Sequence, residues 1–264
     1  MLEIWVDGDM IAYEALMGAS TDIDWGDNIW TLHVDKNTAV YNFQSILDKA
    51  SAHLEETFDR TAVSTYLCFT DSIHNFRKDI EPTYKGNRKG RRKPVGFAFL
   101  IEELRKIYNV VIRKNLEADD CIGIGMTRPN KKQYTRIIIS GDKDMNTIEG
   151  WFYDYIHDEL CYNSPEGAYY NFLKQTLMGD TADGYSGCPS YGKVKAEKAL
   201  QEEPSWKTVV KCYEEQNLTE EDALRNARLA FILHHDNYNM VTKEITLWTP
   251  PESNGKENPS QKQN

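Results

Sequence analysis

The sequence predicts an α/β fold: a mainly parallel central sheet flanked by helices, followed by a helical C-terminal region. Three observations carry this. Short apolar, β-branched runs alternate with amphipathic helical stretches over the first 160 residues, and parallel strands need crossovers of that kind. Several runs stop at aspartate, a common turn former after a strand. Beyond residue 160 the strand signal fades and four helical stretches follow. With 264 residues, 40% of them hydrophobic, the chain can bury one large core or a core with a small appendage.

Leu2–Val6 is a β-prone run stopped by Asp7-Gly8, and Thr61–Phe69 is a second, stopped by Thr70-Asp71. Between them Val40, Phe43, Leu47, Ala50, Leu54 and Phe58 recur at steps of three and four, the apolar face of a helix. Another helix follows Pro94 and carries Phe97, Leu100, Ile101, Leu104 and Ile107. Asn109–Arg113, Arg136–Ile139 and Trp151–Ile156 supply three more strands, and Cys121–Met126 a short helix. Tyr169–Met178, Lys193–Gln201, Trp206–Gln216 and Glu220–Leu233 read as helices, the last behind an approximate capping box at Thr219–Asp222. The polar, Pro- and Asn-rich stretch 250–264 is expected to be a disordered tail.

No apolar run approaches the roughly 20 residues that span a bilayer, so no membrane association is expected. The N-terminus lacks the basic head and small-residue cleavage site of a signal peptide. Five widely spaced cysteines without a C-x-x-C pair point to reduced thiols, hence a cytoplasmic setting, and to no zinc site.

In open parallel sheets, ligands bind beyond the carboxyl ends of the strands. Asp7, Asp71 and Asp142 fall there, and Asp144 follows at the spacing that points both side chains the same way in extended chain. Glu117, Asp119 and Asp120 open a helix after the third strand, where the helix dipole favours anions. Asp180 and Asp183 sit in a glycine-bounded turn, Gly179–Gly184. Any one of these is equally well a turn former or helix cap. Together, nine carboxylates near one edge need cations. With no His or Cys nearby in sequence, Mg²⁺ or Mn²⁺ fits better than Zn²⁺. Two such ions about 3.5–4 Å apart are a standard device for phosphodiester hydrolysis.

Taken in order, Val6-Asp7-Gly8, Phe69-Thr70-Asp71, Leu116–Asp120, Ile139–Asp144 and Leu177–Asp183 resemble the motifs of the structure-specific 5′-nuclease family, which includes flap endonucleases. The stretch Phe69–Phe97 and the closing segment ending Glu244-Ile245-Thr246-Leu247-Trp248-Thr249-Pro250 are most similar to the 5′→3′ exonucleases of lytic bacteriophages, and the resemblance covers nearly the whole chain up to Pro250. It implies a PIN/5′-nuclease-like catalytic domain over residues 1–160, with a basic arch at about 76–96. It also implies a duplex-binding region over 161–249, with a helix–three-turn–helix at about 170–201. Asp7, Asp71, Glu117 and Asp119 would hold one ion; Asp120, Asp142, Asp144 and Asp183 would serve a second, with Asp180 a further candidate. Asp9 lies outside the family pattern and reads as a turn residue.

Lys85–Lys93 holds six cations in nine residues. An isolated charge run is most often a solvated loop; this one follows the Asp71 strand end and is placed to draw in phosphates. The resemblance puts Lys85 and Arg88 beside the scissile phosphate as catalytic groups. Lys89, Arg91 and Arg92 fall in the same run, and Arg77 and Lys78 are secondary phosphate contacts. Gly187–Gly192, followed by Lys193 and Lys195, resembles the family's duplex anchor, where backbone N–H groups approach phosphate and a K⁺ ion often binds. Ser190 stands where glycine is usual, and Val194 where lysine is common. Tyr13 is either a half-buried aromatic or a platform for a terminal base. His234-His235 reads as a structural pair in a C-terminal helix.

The resemblance implies a metal-dependent 5′→3′ exonuclease acting as a monomer on duplex DNA with a free 5′ end and leaving 5′-phosphate products. Flap cleavage and removal of RNA primers, an RNase H-like activity, are companions in phage DNA replication, in the host-cell cytoplasm. Two other readings remain open from the residues. Asp7-Gly8-Asp9 and Gly179–Asp183 imitate an aspartyl-phosphate-type phosphatase, although the order of the other motifs does not. A non-catalytic DNA-binding protein on a nuclease scaffold is the other. The net charge of −10 speaks at first against a nucleic-acid partner. Setting the nine candidate ligands aside leaves 32 acidic residues against 31 basic ones, so the acidity is that of a site which cations make usable.

Overall fold

The computed structural model describes residues 1–71, 73–88, 90 and 92–251; Lys89, Arg91 and the tail from residue 252 lie outside the described residues. The chain divides into two compact units: Met1–Phe76 with Arg88–Ala168 and Ile232–Glu244, and Arg77–Asn87 with Tyr169–Phe231 and Ile245 onward. The division is therefore not a single cut near residue 160.

The first unit is built on a six-stranded sheet. Strand β1 (Leu2–Asp7) is buried at every position, as a central strand covered on both faces must be. It pairs in parallel with β4 (Ala62–Phe69) on one side and β6 (Thr135–Ser140) on the other. Outside these lie β5 (Asn109–Ile112) and β7 (Gly150–Asp154), both parallel to their neighbours. Helices α1 (Gly8–Gly18), α2 (Lys36–Phe58), α4 (Phe97–Leu104) and α5 (Ala118–Thr127) supply the crossovers. The α2 face expected from the sequence is the buried one: Phe43, Leu47, Ala50 and Leu54 pack with Leu2, Ile4 and Leu104. Asp35 caps α2 by accepting from Thr38 N at 2.7 Å.

Four strands differ from expectation. Strand β2 (Ser20–Asp24) and β3 (Trp30–Val34) form a separate antiparallel ribbon that the sequence does not announce; its faces are largely exposed, so no alternation of core residues marks it. Strand β7 ends at Asp154, because that carboxylate takes the N–H groups of Ile156 and His157 and turns the chain back. An antiparallel strand β8 (Glu159–Asn163) follows, so strands persist beyond residue 160.

The second unit holds helical turn α3 (Arg77–Ile80), the body of α6 (Pro165–Met178), α7 (Lys193–Leu200), α8 (Trp206–Glu214) and α9 (Glu220–Ala230). Its core gathers Phe172, Leu173, Leu177, Val209, Tyr213 and Ala227. Tyr213 donates to Thr176 O and accepts from Asn226, so a buried hydroxyl is satisfied twice. The box at Thr219 and Asp222 is complete in both directions, firmer than the sequence suggested.

Helix α9 stops at Ala230 rather than Leu233, since Phe231 turns extended. His234 and His235 therefore lie outside any α-helix, beginning a 3-10 turn, and His235 N donates to Thr127 Oγ1 at 2.8 Å. Burial pushes the His234 imidazole down to about 4, keeping it neutral and structural. No helix among the described residues is long and apolar enough to cross a membrane.

Candidate functional site

The carboxyl edge of the first unit's sheet is where its acidic residues meet. β1 lies at the switch point between β4 and β6, so Asp7 ends the central strand with a strand end on either side. Gly8 is required there: a Cβ would stand 2.6 Å from Phe69 Cζ and 2.8 Å from Cys68 O. Asp7 caps α1 through Oδ1, accepting from Met10 N at 3.2 Å, while Oδ2 accepts from Ser140 Oγ at 3.0 Å. That serine, fully buried, also accepts from Asp142 N at 3.0 Å. Ser140 thus links two candidate ligands across adjacent strand ends. The sequence shows it only as part of a turn.

Asp71 is stitched to the approach of α5. Its Oδ2 accepts from Asn115 N at 2.8 Å, its Oδ1 from Ile73 N at 3.1 Å, and its own N–H reaches Leu116 O. Thr70 Oγ1 accepts from Ala118 N, fixing the first turn of α5 beside the β4 end. Glu117 is the N-cap residue of that helix and Asp119 lies in its first turn, half-buried. Asp144 does not continue the extended chain: Asp142 caps a 3-10 turn (Lys143–Thr147) that contains it and accepts from Asp144 N at 2.9 Å. Asp144 pairs with Lys143 at 2.9 Å.

Two placements correct expectations. Asp120 has no exposed surface, and its oxygens accept from Glu117 N at 3.1 Å and Leu233 N at 3.2 Å. These bonds fix the segment bearing Glu117. Asp9, read as a turn residue, instead accepts from Thr70 N at 3.0 Å and pairs with Lys93 at 3.5 Å.

Among the described residues no three His, Cys, Asp or Glu side chains converge tightly enough to cage an ion. Mg²⁺ takes one or two carboxylates and keeps several waters, so a preformed protein cage is not what it needs. The donor set fits: all candidates are hard oxygen ligands. Burial, then the charges of Asp9 and Asp142, push the Asp7 carboxyl up to about 7, a strain that a bound cation relieves.

In the second unit Asp183 and Lys85 meet. Asp183 Oδ2 accepts from Tyr84 OH at 2.9 Å and lies 3.5 Å from Lys85 Nζ, while Lys85 N donates to Asp183 O at 2.7 Å. Asn87 Nδ2 reaches the carbonyls of Thr181 and Ala182. Asp180 Oδ1 braces its own turn, accepting from the N–H groups of Ala182 and Asp183. Arg77 is a correction: it is buried, and its guanidinium donates to Leu229 O at 2.9 Å and Phe231 O at 2.7 Å. It closes the C-terminal end of α9, where a cation suits the helix dipole, and does not reach out to phosphate.

Lys78, Arg88 and Arg92 are exposed. Tyr13 is 43% exposed, with its ring edge-on to Phe97. Gly187 serves packing, because a Cβ there would collide with Gly179 N and Leu177 O. Gly192 has open space around it and precedes α7, whose Lys193 and Lys195 are exposed. Ser190 adopts φ 64°, the left-handed region that favours the glycine it replaces. Ser190→Gly should therefore raise unfolding stability by about 1 kcal/mol. An unchanged or lower urea midpoint would refute this.

Residues 4–150 match the family model of the 5′-3′ exonuclease N-terminal resolvase-like domain, more than half of the chain. The exodeoxyribonuclease of Enterobacteria phage T3 is 29% identical over 281 aligned positions, covering 93% of this chain and 92% of that protein. The exonuclease of Escherichia phage T7 is 28% identical over the same shares. Among solved structures, the phage T5 5′-exonuclease with bound zinc superposes with TM-score 0.64 at 17% identity, over 87% of this chain and 88% of that one. The phage T5 flap endonuclease in complex with DNA and metal ions gives 0.63 at 17% identity over the same shares. The mainly parallel α/β sheet flanked by helices is therefore the fold of these nucleases, and this chain belongs to the 5′-3′ exonuclease family.

Proposed function

We propose that this chain is a divalent-metal-dependent 5′→3′ exonuclease, hydrolysing phosphodiester bonds from the 5′ ends of duplex DNA to give 5′-phosphate products. The observation that carries the reading is the position of Asp7. It is a carboxylate ending the central strand, its proton affinity raised by burial and then by the charges of Asp9 and Asp142, and Ser140 joins it to Asp142. Such a group is matched to a cation.

Asp7, Asp71, Glu117, Asp119, Asp142 and Asp144 would hold two Mg²⁺ ions. These supply the Lewis acidity and the activated water of two-metal phosphodiester hydrolysis. Asp180 and Asp183 enter as ligands through the family resemblance. Lys85 and Arg88 orient and neutralise the scissile phosphate, and the Lys85 ammonium is aimed by Asp183. Arg92, Lys193 and Lys195 meet backbone phosphates, which position duplex without reading sequence. Flap cleavage and removal of RNA primers belong to the same site, in host-cell cytoplasm.

A digestion series tests the proposal. 5′-Labelled blunt duplex, flap and RNA-primed substrates are incubated with Mg²⁺ or with EDTA. The expected result is release from 5′ ends in Mg²⁺ alone, with phosphate on the 5′ side of each product. Release only from 3′ ends, or cleavage undiminished in EDTA, overturns it.

A further inference from the structure

We infer that Asp9 and Lys93 form an internal latch that fixes the downstream limb of the basic segment against α1 and the end of β4, making Asp9 a positioning residue. The inference rests on the proposed nuclease reading and adds to it a division of labour within the cationic run. Lys93, half-buried, pairs with Asp9, while Arg92 beside it is exposed for phosphate.

Asp9 sits in the first turn of α1, where a carboxylate would ordinarily serve only the helix dipole. Its oxygens instead point away from the helix. Oδ2 accepts from Thr70 N, one residue before Asp71, and Oδ1 pairs with Lys93 Nζ. The ammonium also stands 4.1 Å from the centroid of Phe97, a cation–π contact that holds it from the other side.

One turn further along α1, Tyr13 approaches Arg92 O at 3.5 Å and packs its ring edge against Phe97. Another turn on, Leu16 lies against Gly96, where a Cβ would stand 3.2 Å from its Cδ2. Residues 9, 13 and 16 are one face of a helix at i, i+4 and i+7. That face holds the chain from Arg92 to Phe97. The helix follows directly on Asp7, and Thr70 directly precedes Asp71. A rotation of the limb about this track would therefore move its cations relative to both carboxylates.

A charge pair of this kind differs from a phosphate contact in what it does to salt dependence. Each lysine that meets a phosphate adds about one to the slope of log affinity against log salt, whereas a lysine held by Asp9 adds none. The test measures duplex binding in EDTA, where cleavage is off, for Asp9→Asn, Lys93→Gln, the double variant and Arg92→Gln. Hydrogen exchange is followed over residues 92–97.

Asp9→Asn and Lys93→Gln should each weaken binding about three- to fivefold. The double variant should be no weaker than either alone, because the two act through one contact. Exchange over 92–97 should quicken equally in all three, with the salt slope unchanged. Arg92→Gln should lower the slope by about one with exchange unaltered. Multiplicative losses, a slope lowered by Lys93→Gln, or exchange unmoved by either substitution would overturn the latch. Wild-type protein that fails to degrade 5′ ends in Mg²⁺ would instead sink the nuclease reading; the exchange arm reports on the latch in either case.

Discussion

Replacing Asp7 by asparagine should lower 5′-end cleavage in Mg²⁺ about a thousandfold or more and, in EDTA at pH 8, should make the protein more stable to heat. The two effects share one cause. Asp7 is 4% exposed, and burial followed by the charges of Asp9 and Asp142 raises its carboxyl from 3.8 to about 7. The unfolded chain gives up this proton near pH 4, while the folded chain holds it until about 7. Folding is therefore opposed increasingly as pH rises across that window, and the opposition is complete above it.

Asparagine removes the charge and keeps the contacts. Its oxygen can accept from Met10 N, and its amide can donate to the Ser140 hydroxyl. A divalent cation offsets the same charge in the wild type, so Mg²⁺ should raise the wild-type unfolding midpoint at pH 8 and leave that of Asp7→Asn nearly unmoved. Thermal unfolding at pH 4 and pH 8, with EDTA or Mg²⁺, reads both arms. Equal Mg²⁺ shifts in the two proteins, or an asparagine variant no more stable than wild type at pH 8, would remove Asp7 from the metal site.

What the sequence discloses follows from how far apart interacting residues lie. The central strands are legible because burial on both faces leaves short continuous apolar runs, as in Ile4–Val6 and Ile137–Ile139. The carboxylates are legible because strand ends can be read locally and the sheet brings them to one edge. Contacts spanning the chain leave no such mark. Asp9 finds Thr70 across 61 positions and Lys93 across 84, so it looks like a turn residue. Arg77 looks like one more surface cation until α9 returns, 152 residues later, with carbonyls that need a donor. Phe231-Ile232-Leu233 continues the apolar period of α9, yet a hydrogen bond from Leu233 N to Asp120 belongs to another element altogether. The helix ends where that contact begins.

Asp119 and Asp120, neighbours with the same side chain, should fail in opposite ways. Asp120→Ala leaves two buried N–H groups, those of Glu117 and Leu233, without their acceptor. Each orphaned donor costs about 1–3 kcal/mol, so the variant should lose roughly 2–6 kcal/mol of unfolding stability. Cleavage by the fraction still folded should fall far less. Asp119→Ala removes a half-buried carboxylate from the first turn of α5 and forfeits about 0.3–1 kcal/mol of helix-dipole stabilisation. Its folding should be nearly intact, while 5′-end cleavage drops about a hundredfold or more as a proposed ligand is lost.

Asp120→Asn separates geometry from charge. It keeps one acceptor oxygen for the two donors, and should fall between wild type and Asp120→Ala in urea midpoint while retaining most cleavage. Urea unfolding and cleavage rates taken where all the proteins are folded decide the matter. An Asp120→Ala protein as stable as wild type yet inactive would put this carboxylate at the ions after all, and would make the capping of α5 incidental. Paired losses of stability in both variants would mean instead that the whole segment from Glu117 to Asp120 is scaffold, with the ions held by the ends of β1, β4 and β6 alone.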